Sequence, residues 1–265
     1  MLWSKAIGAG GAGGLVEGWN ISTAVFLQSK SVSAKESSPT SVFLSPLGTD
    51  LYTCGATSDA VHRYLLSEAF NIDTATFSES LTLGSGNPSS ITFNANGTIL
   101  YIGLSQGGVV VQYSLSTPWA VSTAVFSGQT PYLSKEPTSA GVALKSDGTS
   151  LFVSGYASNG VHEYSLSTPW DVATATFVKS FSFGGQKRNI FFKPDGLALF
   201  IADSSADNVA EYALSSSWDI STLSLTQSKS VALATPAGLH FNATGTKMYV
   251  SNEANGTINE YDLTA

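Results

Sequence analysis

The sequence predicts an all-β protein, a five-bladed β-propeller of four-stranded antiparallel blades. Three markers, each present five times in the 265 residues, carry this prediction. The first is an aromatic residue that returns every 48–51 residues: Trp19, Phe70, Trp119, Trp170 and Trp218. The second is a turn glycine: Gly48, Gly97, Gly148, Gly196 and Gly245. The third is a tyrosine: Tyr64, Tyr113, Tyr164, Tyr212 and Tyr261.

Each repeat contains four short segments with the pattern of strands. In the last copy, residues 238–242 alternate apolar and polar side chains, a turn follows, and residues 247–251 and 257–263 continue after further turns. The fourth segment follows the aromatic marker, as in residues 171–183. Period-two alternation between Gly- and Asn-containing turns predicts half-buried strands. Four such strands per 48–51 residues are typical of a propeller blade.

The two ends of the sequence complement each other. The last repeat stops after Tyr261-Asp-Leu-Thr-Ala, where the other repeats continue into the aromatic marker and a fourth strand. Residues 19–33 have the pattern of that missing strand. We therefore expect residues 19–33 to close the ring by completing the C-terminal blade, because an unpaired strand edge would otherwise invite association. The expected organisation is a Gly-rich tether (1–18) followed by the propeller (19–265).

Two stretches resemble known repeats. FFKPDGLALFIADSSADNVAEYAL (191–214) is similar to the YVTN-type propeller repeat, with a Pro-Asp-Gly turn and a following aromatic strand. The linkage LSTPWDV…TATF resembles repeats of phage and environmental virion-associated propellers. The first resemblance implies the fold and the second implies a place in a virion.

Composition excludes several kinds of partner. The formal net charge is −7 and only 12% of residues are charged, so a nucleic-acid-binding surface is not expected. There is no run of about 18 apolar residues, so membrane insertion is not expected. The single cysteine, Cys54, permits no intramolecular disulfide. It leaves the compartment open between cytoplasm and exterior.

The sequence shows no pattern typical of a catalytic or metal site. His62 and His162 occupy equivalent positions in VHRY and VHEY, which predicts that they are surface residues of two separate blades. The carboxylates recur at turns and before the repeat tyrosine, and no GxSxG motif is present. We therefore expect no catalytic residue, no metal and no cofactor.

Departures from the repeat mark the candidate binding residues. The fourth blade begins with GGQKRNIFF, which places Lys187 and Arg188 near the mouth of the channel. The third begins with the longer PYLSKEPTS, which contains Tyr132, Lys135 and Glu136. These five residues are candidates for ligand or partner contact, and solvated loop variation is the alternative.

Three functions compete at this level. The leading hypothesis is a non-catalytic structural or binding propeller of a phage virion, anchored to other virion proteins through residues 1–18, with Trp3 and Lys5 as tether candidates. A lectin-like module that binds host-surface glycans is the second. A lactonase-like metal-dependent hydrolase is the third.

Overall fold

The computed structural model describes residues 18–185 and 187–264, which form five four-stranded antiparallel sheets. Blade 1 contains β2 (Pro39–Leu44), β3 (Asp50–Gly55), β4 (Ala60–Leu66) and β5 (Ala75–Thr82). Blade 2 contains β6 (Pro88–Phe93), β7 (Ile99–Leu104), β8 (Val109–Leu115) and β9 (Ala124–Gln129). Blade 3 contains β10 (Ser139–Leu144), β11 (Ser150–Gly155), β12 (Gly160–Leu166) and β13 (Ala175–Ser182). Blade 4 contains β14 (Lys187–Phe192), β15 (Ala198–Asp203), β16 (Asn208–Leu214) and β17 (Leu223–Ser230).

Blade 5 closes the ring in the predicted way. It consists of β18 (Pro236–Phe241), β19 (Lys247–Asn252), β20 (Thr257–Asp262) and the N-terminal strand β1 (Val25–Ser31). β1 pairs antiparallel with β20, from Val25 opposite Asp262 to Ser31 opposite Thr257. The sequence prediction of a five-bladed propeller closed by its N-terminal strand is confirmed. Residues 1–17 of the predicted tether lie outside the described part of the chain.

A short 3₁₀ helix precedes each outermost strand. The five helices span Ile21–Thr23, Ile72–Thr74, Val121–Thr123, Val172–Thr174 and Ile220–Thr222. In four of them an Asn or Asp side chain before the helix accepts a hydrogen bond from a backbone N–H two residues later. The first residue of each helix is buried, so the turn anchors the outer strand to its blade.

The turn glycine and the aromatic marker form one structural unit, which we call the Gly–aromatic clasp. The pairs are Gly48–Phe70, Gly97–Trp119, Gly148–Trp170, Gly196–Trp218 and Gly245–Trp19. In each pair the aromatic backbone N–H donates to the glycine carbonyl, at 2.7–2.9 Å. Each glycine has φ between 68° and 73°, and a Cβ there would overlap the aromatic ring. Glycine is therefore required both for its backbone and for the close approach of the ring.

The meander places these clasps on one face of the ring, here called the lower face. The inter-blade loops lie on the opposite, upper face, together with the turns between the second and third strands. The described residues of the inter-blade loops are 32–38, 83–87, 130–138, 183–185 and 231–235. Among the described residues no helix has the length and apolarity needed to cross a bilayer.

Candidate active site

The innermost strands of the five blades surround a central channel. The third residue of each innermost strand forms a ring at the upper end of this channel: Ser41, Ser90, Gly141, Asn189 and Gly238. Asn189 Nδ2 donates to Ser90 Oγ at 3.1 Å and to Ser41 Oγ at 3.4 Å. All three side chains are buried, so this polar contact closes the channel below its upper mouth.

Below that closure the channel widens into a cavity of about 190 Å³ that opens on the lower face, here called the lower vestibule. Its walls include Phe43, Phe93, Trp119, Phe191, His240 and Phe241. A second cavity of about 120 Å³ continues inward and shares Phe43, Phe191 and His240 with the first. None of the described residues that line the two cavities is Lys, Arg, Asp or Glu.

His240 is the ionisable side chain of the lower vestibule. Its ring centroid lies 4.7 Å from that of Phe43 and 5.3 Å from that of Phe191. Burial lowers the pKa of His240 to about 3, and a hydrogen bond to the backbone of Leu44 offsets only part of this shift. The imidazole is therefore neutral at neutral pH. A neutral imidazole has one N–H donor and one acceptor nitrogen.

The upper face holds Lys187 and Arg188, and both are paired. Lys187 is buried and forms an ion pair with Asp203. Arg188 forms an ion pair with Glu253 of blade 5, and its Nε donates to Ser204 Oγ at 2.8 Å. Both cations therefore form ion pairs within the protein and are not simply solvated side chains of a variable loop.

Arg188 also contacts the preceding blade. Its guanidinium carbon lies 5.0 Å from the ring centroid of Tyr156, and its carbonyl accepts from Ser154 Oγ at 2.6 Å. The residue therefore links blades 3, 4 and 5. Ligand binding by Lys187 and Arg188 stays a prediction.

The three candidates in the loop before blade 3 have different environments. Tyr132 is 65% exposed. Lys135 Nζ lies 5.2 Å from the ring centroid of Phe177. Glu136 is fully buried and accepts hydrogen bonds from the backbone N–H groups of Thr138 and Ser158. None of the three lines the lower vestibule.

The prediction that His62 and His162 are surface residues is wrong. Each is 4% exposed and forms hydrogen bonds through both ring nitrogens. The two longest inter-blade loops, 32–38 and 130–138, place Glu36 and Glu136 against the turn that precedes each histidine. Lys-Glu occurs at the same point of both loops, Lys35-Glu36 and Lys135-Glu136, in the two blades that carry the histidine. That coincidence is the sequence signal that could have identified this cluster.

The described residues do not fit a metal site. Within 18–185 and 187–264, no three or more His, Cys, Asp or Glu side chains come close enough together to bind one ion. The metal dependence attached to the lactonase-like hypothesis therefore has no support from the side chains. The tether candidates Trp3 and Lys5 lie outside the described residues.

Comparison with known proteins gives a family and several structural neighbours. The model of the family "Lactonase, 7-bladed beta-propeller" matches residues 52–265. A putative 6-phosphogluconolactonase from Bacteroides fragilis is 20% identical with a TM-score of 0.50, over 73% of this chain and 55% of that one. A functionally unknown protein from Desulfotomaculum acetoxidans is 16% identical with a TM-score of 0.52, over 81% and 65%.

A third neighbour is a putative 6-phosphogluconolactonase from Bacteroides uniformis, 15% identical with a TM-score of 0.50, over 84% of this chain and 71% of that one. At these identities the neighbours show the fold alone. The chain spans less than two thirds of the length of the first two. No curated protein matches the sequence.

The family match corrects the leading functional hypothesis. The expectation of a non-catalytic virion component, and with it the expectation that the chain is not an enzyme, is wrong, because the matching family is a lactonase family. The LSTPWDV…TATF linkage, which suggested a virion protein, forms the 3₁₀ helix and the outermost strand of the blade, and its pattern is explained by the fold. The four tryptophans of the repeat, Trp19, Trp119, Trp170 and Trp218, pack in the Gly–aromatic clasps. This five-bladed chain belongs to the lactonase family of β-propellers that is described as seven-bladed.

Proposed function

We propose that this protein is a hydrolase that opens a small uncharged lactone bound in the lower vestibule. The observation that carries the proposal is the match of the lactonase family over residues 52–265. The YVTN-type pattern of residues 191–214 concerns the strands and adds nothing to the choice of substrate. The vestibule is an apolar cavity that contains an ionisable group with a lowered pKa, which is the usual character of a small-molecule site.

The walls of the vestibule favour an uncharged substrate. Moving an unpaired phosphate or carboxylate from water into an apolar cavity is strongly unfavourable. The vestibule has aromatic walls and no cationic side chain among its described lining residues. The Lys187 and Arg188 cations lie on the upper face, beyond the Asn189 closure, and are already paired with carboxylates. Two of the neighbours are named as enzymes of a phosphorylated lactone, and this site favours a different substrate.

His240 supplies the polar group for ring opening. Its acceptor nitrogen can hold a water molecule, which attacks the lactone carbonyl carbon. The imidazole takes the water proton only transiently, since a pKa of about 3 makes it a weak base. The ester C–O bond then breaks, and the proton passes to the departing ring oxygen. The result is a hydroxy acid. Since the pKa of His240 is lowered to about 3, the residue stays neutral from pH 5 to pH 8 and adds no inflection to the rate in that range.

The test is a panel of unsubstituted and alkyl γ- and δ-lactones, with 6-phosphogluconolactone as the charged comparison. Hydrolysis is followed by proton release or NMR. His240→Phe should lower kcat/KM on the best uncharged lactone by about 100-fold or more, the usual contribution of a general base. Thr92→Val, a change at the same level of the channel, should alter it by less than about threefold. Unchanged kcat/KM in His240→Phe, preference for the phosphorylated lactone, or no hydrolysis of any lactone would overturn the proposal.

A further inference from the structure

We propose that Ser180 in blade 3 and Ser80 in blade 1 are nucleophilic serines, each activated by a buried histidine, and that they accept an acyl group from small esters. These serines lie on the outermost strands, away from the lower vestibule. The proposal is therefore independent of the lactonase proposal. It rests on a hydrogen-bonded relay that occurs twice in the ring.

In blade 3 the relay runs from the outer strand to the inter-blade loop. Ser180 Oγ lies 2.7 Å from His162 Nδ1, and His162 Nε2 lies 2.7 Å from Ser158 Oγ. Ser158 Oγ lies 2.5 Å from Glu136 Oε2. Ser180 is exposed while His162 and Glu136 are buried, so the relay leads from solvent to a buried carboxylate.

The Glu136 carboxylate determines which group is the donor and which the acceptor in every hydrogen bond of this relay. Both Glu136 oxygens accept backbone N–H groups, from Ala157, Thr138 and Ser158, which identifies the side chain as an acceptor. Ser158 therefore donates its hydroxyl proton to Glu136 and accepts from His162 Nε2–H. Nδ1 of His162 is then the unprotonated nitrogen, and it accepts the hydroxyl proton of Ser180. This is the tautomer that a general base needs.

Blade 1 repeats the relay with the same geometry. Ser80 Oγ lies 2.7 Å from His62 Nδ1, and His62 Nε2 lies 2.9 Å from Ser58 Oγ. Ser58 Oγ donates to Glu36 Oε2 at 2.6 Å. Glu36 is fully buried and also accepts the N–H of Ser58 at 3.1 Å. The proton direction is therefore the same as in blade 3.

The other three blades lack the relay and provide internal controls. The positions equivalent to His62 and His162 are Val111, Ala210 and Asn259. In blade 4 Ser228 faces Ala210, and in blade 5 Ser29 faces Asn259. Ser228 and Ser29 are exposed serines on outer strands, as Ser180 is, but they have no histidine opposite. Their reactivity is that of ordinary hydroxyls.

The surroundings of His62 and His162 favour the neutral form of each histidine and a negative charge on an ester bound at the serine. Burial lowers the pKa of both His62 and His162, so both are unprotonated at neutral pH. Each site also has a lysine in its inter-blade loop. Lys35 Nζ lies 4.1 Å from the ring centroid of Phe77, and Lys135 Nζ lies 5.2 Å from that of Phe177. Phe77 and Phe177 lie on the same strands as the serines. Each lysine also acts electrostatically on the histidine of its relay, so each relay has a cation in its surroundings.

The reaction is a balanced acyl transfer. Ser180 Oγ bonds to the carbonyl carbon of an ester while its proton moves to His162 Nδ1. The ester C–O bond breaks, and the alcohol leaves with the proton from His162. Water then attacks the acyl-serine by the same route and releases the carboxylic acid.

The first experiment maps the reactive serine in the unaltered full-length protein. The protein is treated with a fluorophosphonate, and separately with p-nitrophenyl acetate, and the adducts are located by peptide mass spectrometry. Ser180 and Ser80 should be modified at least about 100-fold faster than Ser228 and Ser29, as expected for general-base assistance. Equal modification of Ser180 and Ser228 would overturn the proposal without any variant.

The second experiment uses variants and a pH profile. Ser180→Ala combined with Ser80→Ala should lower the release of p-nitrophenol to the rate without protein, whereas Ser228→Ala should keep the wild-type rate. His162→Asn should slow the modification of Ser180 by about 100-fold without slowing that of Ser80. The rate of modification should fall with acid as the histidine becomes protonated. A rate that does not fall at any acidic pH at which the protein stays folded would contradict the role of His162.

The same variants separate the two proposals. If the serine variants lose ester reactivity but keep lactone hydrolysis, the relay and the vestibule are separate sites, as proposed. Loss of lactone hydrolysis in Ser180→Ala, with His240→Phe unaffected, would overturn the vestibule as the lactonase site. Unlabelled serines with intact lactone hydrolysis would overturn the relay alone.

Discussion

The five Gly–aromatic clasps and the five inter-blade loops lie on opposite faces of the ring, and they differ in how strictly they repeat. Every clasp has the same glycine φ, the same N–H to carbonyl hydrogen bond and the same ring position. The inter-blade loops differ in length, and those before blades 1 and 3 carry the buried Glu36 and Glu136. The clasps of the lower face maintain the ring, and the loops of the upper face carry the buried carboxylates that distinguish blades 1 and 3 from the other blades.

The largest expected effect comes from removing the closing strand. Deleting residues 1–33 removes β1, the buried Ile21 and Val32, and the Trp19 clasp, so we expect loss of a single cooperative unfolding transition. Deleting residues 1–17 leaves all of these in place and should leave Tm unchanged. Thermal unfolding followed by circular dichroism compares the two truncations. Equal Tm values would contradict closure by β1.

The second effect compares a clasp glycine with a loop glycine. Gly97→Ala places a methyl group against Trp119 at φ +70°, and we expect a loss of about 2–4 kcal/mol from strain and overpacking. Gly84→Ala has a similar φ of +81° but open space around the new Cβ. It should cost about 1 kcal/mol from the backbone alone. Urea unfolding measures both, and equal losses would show that ring contact in the clasp contributes nothing.

The third effect is acid sensitivity arising from the channel. The pKa of His240 is about 3 in the folded protein and about 6.5 in the unfolded chain, so the unfolded state binds the proton first as pH falls. The stability contributed by the neutral histidine is complete above about pH 6.5 and declines toward pH 3. Between pH 7.5 and pH 5 we expect a decline of about 2 kcal/mol in the wild type from this residue.

His240→Phe should lack this part of the decline, because phenylalanine does not titrate. Urea unfolding at the two pH values measures the difference. His62 and His162, whose pKa values are also lowered, remain in both proteins and contribute equally. An unchanged pH dependence in His240→Phe would contradict a strongly lowered pKa for His240 in the folded protein.

The smallest effect tests an inter-blade hydrogen bond. Tyr52 Oη donates to the carbonyl of Trp119 in the next blade at 2.6 Å, and Tyr101 does the same to Trp170 at 2.8 Å. Phe152 occupies the equivalent position in blade 3. Tyr52→Phe should therefore cost about 1 kcal/mol and leave the packing intact. Tyr132→Phe, at an exposed residue, should not change the free energy of unfolding. A similar loss of stability in both variants would contradict a stabilising role for the Tyr52–Trp119 hydrogen bond.

The fold could be predicted because its signals are local and repeated. The turn glycine and the aromatic marker, Gly48 and Phe70 in blade 1, each reflect a conformation that the backbone requires. Their five copies give the number of blades directly. The relay was harder to predict, because Glu36, Ser58, His62 and Ser80 come from four separate segments. Its sequence signal is the Lys-Glu pair that recurs in the loops before blades 1 and 3. Burial of His62 depends on the path of a loop, which no periodicity encodes. His240 lay in a strand pattern that suggested nothing about the channel, since a cavity depends on all five blades at once.

Closure by β1 also affects how the chain acquires its structure on the ribosome. β1 is synthesised before every other strand, yet its partner β20 lies more than 200 residues further along the chain. The nascent polypeptide must keep this segment unpaired while four blades form behind it. Contacts of such long sequence separation slow folding and leave strand edges open to other chains. The ring therefore passes through an open, association-prone stage during translation that ends only when its two terminal segments meet.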